Sequence, residues 1–273
     1  MLSQIKQESK NGLVFCFVGV GSAFAKKNDQ TSLIIAKDEK TILVDIGNTI
    51  PKVLDSKGIN ISGFDFYHIT HSHGDHTGGM EELLLMSRYV KKQKPKLIIT
   101  EPYYDILWDK TLRGGCAHNE LDLLKFSDLV IPVRPIWKQS RPREIYEINV
   151  EGINLEIFRT IHIPGNVDMW ERAFWSTGLV VDHRVLFTSD TRFDPLIFQH
   201  LGMTTNMEAI FHDCQLYDPG TVHATIDELL TLPTELKSKM YLTHYGDNFD
   251  SIENKGKASS FRGFAESWKI YKF

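Results

Sequence analysis

Residues 70–79, THSHGDHTGG, constrain this chain most, because three histidines and one aspartate fall within six consecutive positions. The approach to them, FDFYHIT at 64–70, is rich in aromatic and β-branched residues, as a buried strand is. The exit, residues 80–90, sets Leu83, Leu84, Leu85 and Met86 among charged residues, which predicts a core-facing helix. A strand running into His71 puts His71 and His73 on one side of the chain, since extended residues two apart share a face. Asp75 and His76 then fall at the turn into the helix. Gly74 is expected to tighten that turn, and Gly78 and Gly79 to let the backbone come close to a bound group. Imidazole and carboxylate donors at this density read as a metal site, and a solvated loop rich in histidine is the competing meaning.

The rest of the chain sets bounds on that site. A length of 273 residues suits one large domain or two small ones, and 42% hydrophobic with 24% charged residues is ordinary globular composition. A formal net charge of -4 supplies no global field for nucleic acid, so an anionic substrate has to be held by metals or a local basic patch. Cys16, Cys116 and Cys214 are widely spaced and odd in number, which fits a reducing compartment and a cytoplasmic location. The start, MLSQIKQESKNG, has no apolar signal core. No stretch approaches the roughly 20 apolar residues of a membrane span, so no membrane partner is expected.

His71, His73, Asp75 and His76 match a His-Xaa-His-Xaa-Asp-His signature, and in this the chain resembles the metallo-β-lactamase fold superfamily. The resemblance implies an α/β fold, a four-layer αββα sandwich, formed as a single domain over residues 1–273. It also implies two metal ions at one end, with the remaining ligands at successive strand ends. GVGSAFAKKNDQTSLII resembles the opening of the ribonuclease Z branch, and ILVDIGNT its Asp-Cys-Gly segment with Ile46 in place of the cysteine. Asp45 in that segment either supports the metal site or caps the turn before Thr49.

Along the chain, residues 13–20, 32–36 and 41–45 read as three consecutive strands, and residues 96–100 as another. Residues 101–112 and 121–126 are expected to be helical around the loop RGGCAHNE, with Tyr103, Tyr104 and Trp108 at core spacing. Lys91, Lys92, Lys94 and Lys96 form a basic run that either steers an anion or solvates a helix end, and His118 stays open. Residues 132–142, with three prolines, read as an extended connection, and strands resume at 144–150 and 153–160.

Three further ligands lie where the resemblance asks for them. His162 follows the strand INLEIFRTI, Asp190 follows VLFTS, and His244 follows MYLT. One metal is then assigned to His71, His73 and His162, the other to Asp75, His76 and His244, with Asp190 bridging. Such donors suit zinc best, and manganese and iron use the same set. Two such ions would lower the pKa of a bridging water, supply hydroxide as the nucleophile and neutralise phosphodiester oxygens. His223-Ala224-Thr225 resembles the His-Ser-Thr element of ribonuclease Z, and the run from FHDC through VHA to KMYLTHY is most similar to the anti-Pycsar phosphodiesterases, which hydrolyse cyclic pyrimidine mononucleotides. In that branch His223 would protonate the leaving oxygen with Asp213 orienting it, so Asp75, His223 and Asp213 are the residues expected to act in the reaction. His212 should face away from Asp213, and Arg113 and Arg192 have no spacing that lifts them above surface arginines. The expectation is a binuclear phosphodiesterase with a small phosphodiester substrate, working as a homodimer. A ribonuclease Z-like RNA endonuclease is the alternative; no protruding Gly-Pro-rich arm for tRNA is visible, which disfavours a large nucleic-acid partner.

Overall fold

Runs dense in Val, Ile, Leu and Phe become strands here, many of them buried along their whole length, as VFCFVG at β1 is. The computed structural model describes residues 1–120, 122–202 and 207–273. Its strands are β1 (Val14–Gly19), β2 (Ser32–Lys37), β3 (Lys40–Val44), β4 (Phe66–His68), β5 (Lys96–Ile98), β6 (Ile131–Val133), β7 (Ile136–Gln139), β8 (Ile145–Val150), β9 (Ile153–Arg159), β10 (Thr177–Val181), β11 (Val185–Phe187), β12 (Ala209–Asp213), β13 (Met240–Thr243), β14 (Gly263–Phe264) and β15 (Ile270–Lys272). The chain divides into two units, one of Met1–Gly19, Asp29–Ile136 and Trp268–Lys272, the other of Val20–Asn28, Trp137–Ser267 and Phe273.

The first unit holds a seven-stranded sheet in the order β15-β1-β2-β3-β4-β5-β6. Pairings from β15 to β3 are antiparallel and those from β3 to β6 parallel. The second unit carries an eight-stranded sheet, β14-β13-β12-β11-β10-β9-β8-β7. There β8 to β11 pair antiparallel and β11 to β14 parallel. Parallel neighbours end at one edge, so each sheet collects several loops at the carboxyl ends of its strands, the usual place for a site in such sheets.

Several elements differ from the sequence reading. The strand expected at 64–70 pairs only over Phe66–His68, because the chain leaves the sheet to form the histidine loop. The helix at 80–90 is Met80–Leu85 continued as a wider π-type coil over Met86–Lys91. Arg113–Cys116, expected in a loop, closes the helical run that starts at Glu101. Of the helix expected at 121–126, Leu121 lies outside the described residues, and only Phe126–Leu129 is helical. Asn119 Oδ1 accepts from the Asp122 N–H (2.9 Å) and Asp122 Oδ1 from the Leu123 N–H (2.7 Å), so side chains hold a turn where a helix was expected. The proline-bearing stretch 132–142 is extended and contributes β6 and β7. Tyr103 and Trp108 are buried, with Trp108 stacked on Phe126 at 5.1 Å, while Lys91, Lys92, Lys94, Lys96 and His118 are exposed. Among the described residues no helix is long and apolar enough to cross a membrane.

Candidate metal centre

In the first unit, the loop between β4 and the short helix Gly74–Thr77 carries His71, His73, Asp75 and His76. The segment after β3 holds it in place: Ile46 N–H donates to the His76 carbonyl (2.8 Å) and Gly79 N–H to the Ile46 carbonyl (2.8 Å). A Cβ at Gly78 would fall 1.8 Å from Asn48 Oδ1, and one at Gly79 2.7 Å from Ile46 and Pro51 side-chain atoms. Those glycines therefore serve packing against this segment and not the approach of a ligand, which corrects the sequence reading. At Gly74 a Cβ would meet only Asn48 Nδ2, at an ordinary 3.6 Å, so the turn does not require glycine.

Asp45 immediately follows β3 with φ 60, a conformation that Asp tolerates better than most residues. Its buried carboxylate accepts from Thr70 N–H (2.8 Å), Thr70 Oγ1 (2.7 Å) and His76 Nδ1 (2.7 Å). A carboxylate only accepts, so Nδ1 of His76 carries the proton and Nε2 keeps its lone pair. With its own proton on Asp45, Thr70 Oγ1 accepts from His71 Nδ1 (3.1 Å), and His71 likewise keeps the lone pair on Nε2. Asp45 thus supports the site; the helix Ile50–Ser56 has no side-chain cap at all. The relay through Thr70 went unread in the sequence, where the only signal was a hydroxyl directly before the motif.

In the second unit β9, β11, β12 and β13 end at one edge and present His162, Asp190, Asp213 and His244. Asp190 Oδ2 lies 3.4 Å from His244 Nε2 and 3.8 Å from His162 Nε2. His162 Nδ1 donates to the Val222 carbonyl (2.8 Å), which leaves Nε2 on the Asp190 side. Burial pushes the His162 pKa down to about 4, against an opposing pull from Asp190, so the ring is neutral at pH 7 and able to ligate. Thr160 Oγ1 (3.0 Å) and Ser176 Oγ (3.3 Å) both donate to the Asp190 carbonyl and fix its backbone.

Beside this cluster His223 Nδ1 donates to Asp213 Oδ2 at 2.7 Å, and the same oxygen accepts from Thr191 N–H at 2.9 Å. His223 is pinned on both sides, Val222 by His162 and Ala224 through its N–H to the Thr191 carbonyl (3.0 Å). Its ring sits 4.9 Å from that of His162 and 5.0 Å from that of His244. His212, next to Asp213, is buried with Nδ1 on a backbone carbonyl (2.7 Å) and its ring near Phe198. Arg192 spends its guanidinium on the carbonyls of Gly165 and Val167, and exposed Arg113 pairs with Asp109.

Donor spacing tests whether metals fit. Two ligands on one tetrahedral ion with bonds of about 2.0–2.2 Å lie about 3.3–3.6 Å apart. His71 Nε2 and His73 Nδ1 are 3.0 Å apart, and His76 Nε2 and Asp75 Oδ2 are 3.3 Å apart. With the 3.4 and 3.8 Å separations around Asp190, each unit offers imidazoles and a carboxylate at or close to ligand spacing. Asp213 and His223, though close to Asp190, are joined by a hydrogen bond that commits both, and so read as a pair and not as ligands.

A family model described as anti-Pycsar protein Apyc1 matches residues 13–271. An anti-Pycsar protein Apyc1 of Paenibacillus harenae is 36% identical over 239 residues, covering 87% of this chain and 92% of that one. Another, of Bacillus phage vB_BsuM-Goe3, is 33% identical over 257 residues, covering 91% and 94%. Among solved structures, the metallo-β-lactamase fold protein YhfI of Bacillus subtilis aligns with a TM-score of 0.68 at 14% identity, covering 96% of this chain and all of that one. The short form of human tRNase Z aligns at 0.63 with 16% identity, covering 95% and 98%, which again shows the fold. Both the α/β class and the superfamily read from the sequence therefore stand: the chain belongs to the anti-Pycsar protein Apyc1 family and is a metal-dependent hydrolase of the metallo-β-lactamase fold.

Proposed function

We propose that this protein is a binuclear phosphodiesterase that opens small cyclic nucleotides, cyclic pyrimidine mononucleotides above all. The observation that carries the reading is the Asp213–His223 pair, 2.7 Å apart and pinned beside Asp190. A thioester expels a thiolate that leaves without protonation, whereas a phosphodiester expels a basic alkoxide that must be protonated. Asp213 holds the proton on His223 Nδ1, which leaves Nε2 as the position that passes a proton to the leaving oxygen.

In this reading the whole chain works as one hydrolase domain. His71, His73, Asp75, His76, His162, Asp190 and His244 would hold the two ions. Zinc suits this nitrogen-rich set best. When bound, two such ions would activate water and neutralise the charge of the phosphate. The chain's own work is to fix the tautomer and orientation of the ligand rings, through Asp45 and Thr70 on one set and the Val222 carbonyl on the other. Three buried thiols, Cys16, Cys116 and Cys214, suit a cytoplasmic setting, and burial pushes the pKa of each of them up. Exposed Ile131, Ile136 and Trp137 support assembly as a homodimer.

The test is to incubate zinc-loaded protein with a panel of cyclic mononucleotides, bis(p-nitrophenyl) phosphate and precursor tRNA. Ring opening of a cyclic nucleotide at micromolar concentrations is the expected result. Cleavage of precursor tRNA with cyclic nucleotides left intact would replace this reading with an RNA endonuclease.

A further inference from the structure

A cavity of about 400 Å³ in the second unit has His223 and His244 in its lining, together with Phe24, Tyr217, Pro219 and Val222. Its volume falls within the ~300–1,000 Å³ of small-molecule sites. Among the described residues that line it there is no lysine or arginine. Whatever occupies the part away from the histidines meets apolar and neutral polar side chains and no cationic one among the described residues.

Phe24 is the anomaly in this wall. Of the sixteen phenylalanines, all among the described residues, it alone is exposed, at 87%. The loop that carries it is nevertheless anchored. Ser22 N–H donates to the Tyr245 carbonyl (3.1 Å), Ala25 N–H closes a turn onto Ser22 (3.1 Å), and Asp247 accepts from the N–H groups of Lys26 (2.9 Å) and Lys27 (2.8 Å). Tyr217, 66% exposed, is held in the same manner. Gln215 Nε2 donates to the Tyr217 (2.6 Å) and Pro219 (3.0 Å) carbonyls, and Asn248 Nδ2 to that of Leu216 (3.1 Å). A loop fixed by this many hydrogen bonds around an apolar ring left in water gains nothing for folding from that ring. Planar rings carried on anchored loops in a cavity wall suit a planar partner.

We infer that Phe24 and Tyr217 form the nucleobase platform of the substrate cavity, so that affinity for the base comes from stacking. The inference rests on the phosphodiesterase reading above. One ribose separates phosphorus from base in a cyclic mononucleotide, so a phosphate at His223 leaves the base within the same cavity. Stacking accepts every base, because each has a π-face, and alanine substitutions put its worth at about 5- to 150-fold in affinity.

The experiment compares a cyclic mononucleotide with the corresponding base-less ribose 3′,5′-cyclic phosphate, using zinc-loaded wild type, Phe24→Ala, Phe24→Trp and Tyr217→Ala. The ratio of kcat/KM for nucleotide over base-less ester should fall by about 5- to 150-fold in Phe24→Ala, mainly through KM, and in the same direction in Tyr217→Ala. Phe24→Trp should hold the wild-type ratio. An unchanged ratio in both alanine variants overturns the inference, including the case where Phe24→Ala alters oligomeric state in light scattering. If wild type cleaves bis(p-nitrophenyl) phosphate but neither binds nor opens any cyclic nucleotide, the cyclic-nucleotide reading itself fails, and the inference with it.

Discussion

Replacing Asp45 by Asn tests whether Asp45 sets the tautomers that the proposed ligation by His71 and His76 needs. Asn tolerates the left-handed backbone at position 45 as well as Asp does, so the change isolates the carboxylate from the φ of 60. An amide has one accepting and one donating end, and all three groups facing Asp45 are donors: Thr70 N–H, Thr70 Oγ1 and His76 Nδ1. Pointing Nδ2 at Thr70 N–H sets donor against donor in a buried site. Pointing it at His76 instead favours the tautomer with the proton on Nε2, and turns Thr70 Oγ1 so that it donates to His71 Nδ1. Both ligand nitrogens then lose their lone pairs. The first arrangement costs about 1–3 kcal/mol of stability, as any unsatisfied buried donor does. The second weakens metal binding by about 10–100-fold, the usual effect of losing the partner that orients a ligand histidine. Competition against a chromophoric zinc chelator reads the affinity, and a urea melt in EDTA reads the stability. Metal affinity and stability both at wild-type levels would refute the tautomer argument, and a loss of stability alone would make Asp45 a fold residue only.

Metal analysis of protein purified without chelator should approach two equivalents per chain; a value at or below one, unmoved by His76→Ala, removes the binuclear reading. Asp190→Ala should abolish turnover with near-native circular dichroism, because the Thr160 and Ser176 hydroxyls bond the backbone carbonyl, which the variant keeps. Substantial residual activity would show Asp190 to be misassigned. His223→Ala should keep its metal and lose about 100- to 10,000-fold in turnover of a cyclic nucleotide, with far less loss on bis(p-nitrophenyl) phosphate, whose leaving group needs little protonation. Equal loss on both substrates would mean that His223 acts by electrostatic attraction and not as an acid. Light scattering should give a homodimer, and a monomer at micromolar concentration would count against exposed Ile131, Ile136 and Trp137 as a contact face.

The histidine motif was legible because its donors are local: six adjacent residues carry four of them, and the strand before and helix after are read from composition. His162, Asp190 and His244 became legible only once a fold was supposed, since a single histidine or aspartate at a strand end has no signature of its own. The 2.7 Å contact of Asp213 with His223 spans ten residues and depends on β12 and the loop before Thr225 meeting, which no periodicity encodes. Glycine misled for a related reason. Gly78 and Gly79 are small to admit Asn48, Ile46 and Pro51, partners some thirty residues upstream, and not a ligand. At 121–126 apolar Leu123 and Leu124 suggested a helix, yet Leu123 is 54% exposed and Asn119 and Asp122 bond the backbone in a turn. Local side-chain bonding there outweighs a weak apolar pattern.

Both units solve the same problem of bringing a polar side chain to the end of a buried strand. Along a strand successive side chains alternate between faces, so a donor that must reach the edge needs the chain to turn sharply. Asp45 after β3, Ser189 just before Asp190 and His244 after β13 all take left-handed conformations, with φ of 60, 51 and 57. Each costs roughly 1–3 kcal/mol for a residue that is not glycine and persists only where its surroundings fix it. Those surroundings are visible. Three hydrogen bonds hold the Asp45 carboxylate, two hydroxyls hold the Asp190 carbonyl, and Cys214 N–H (2.9 Å) and Ser22 N–H (3.1 Å) hold the carbonyls on either side of His244. Glycine would relieve the strain at 45 and 244 but would delete the side chain that the site uses, the accepting carboxylate of Asp45 or the imidazole of His244. Strain therefore falls on or directly beside the residues that build the site, and their rigidity is set by the backbone.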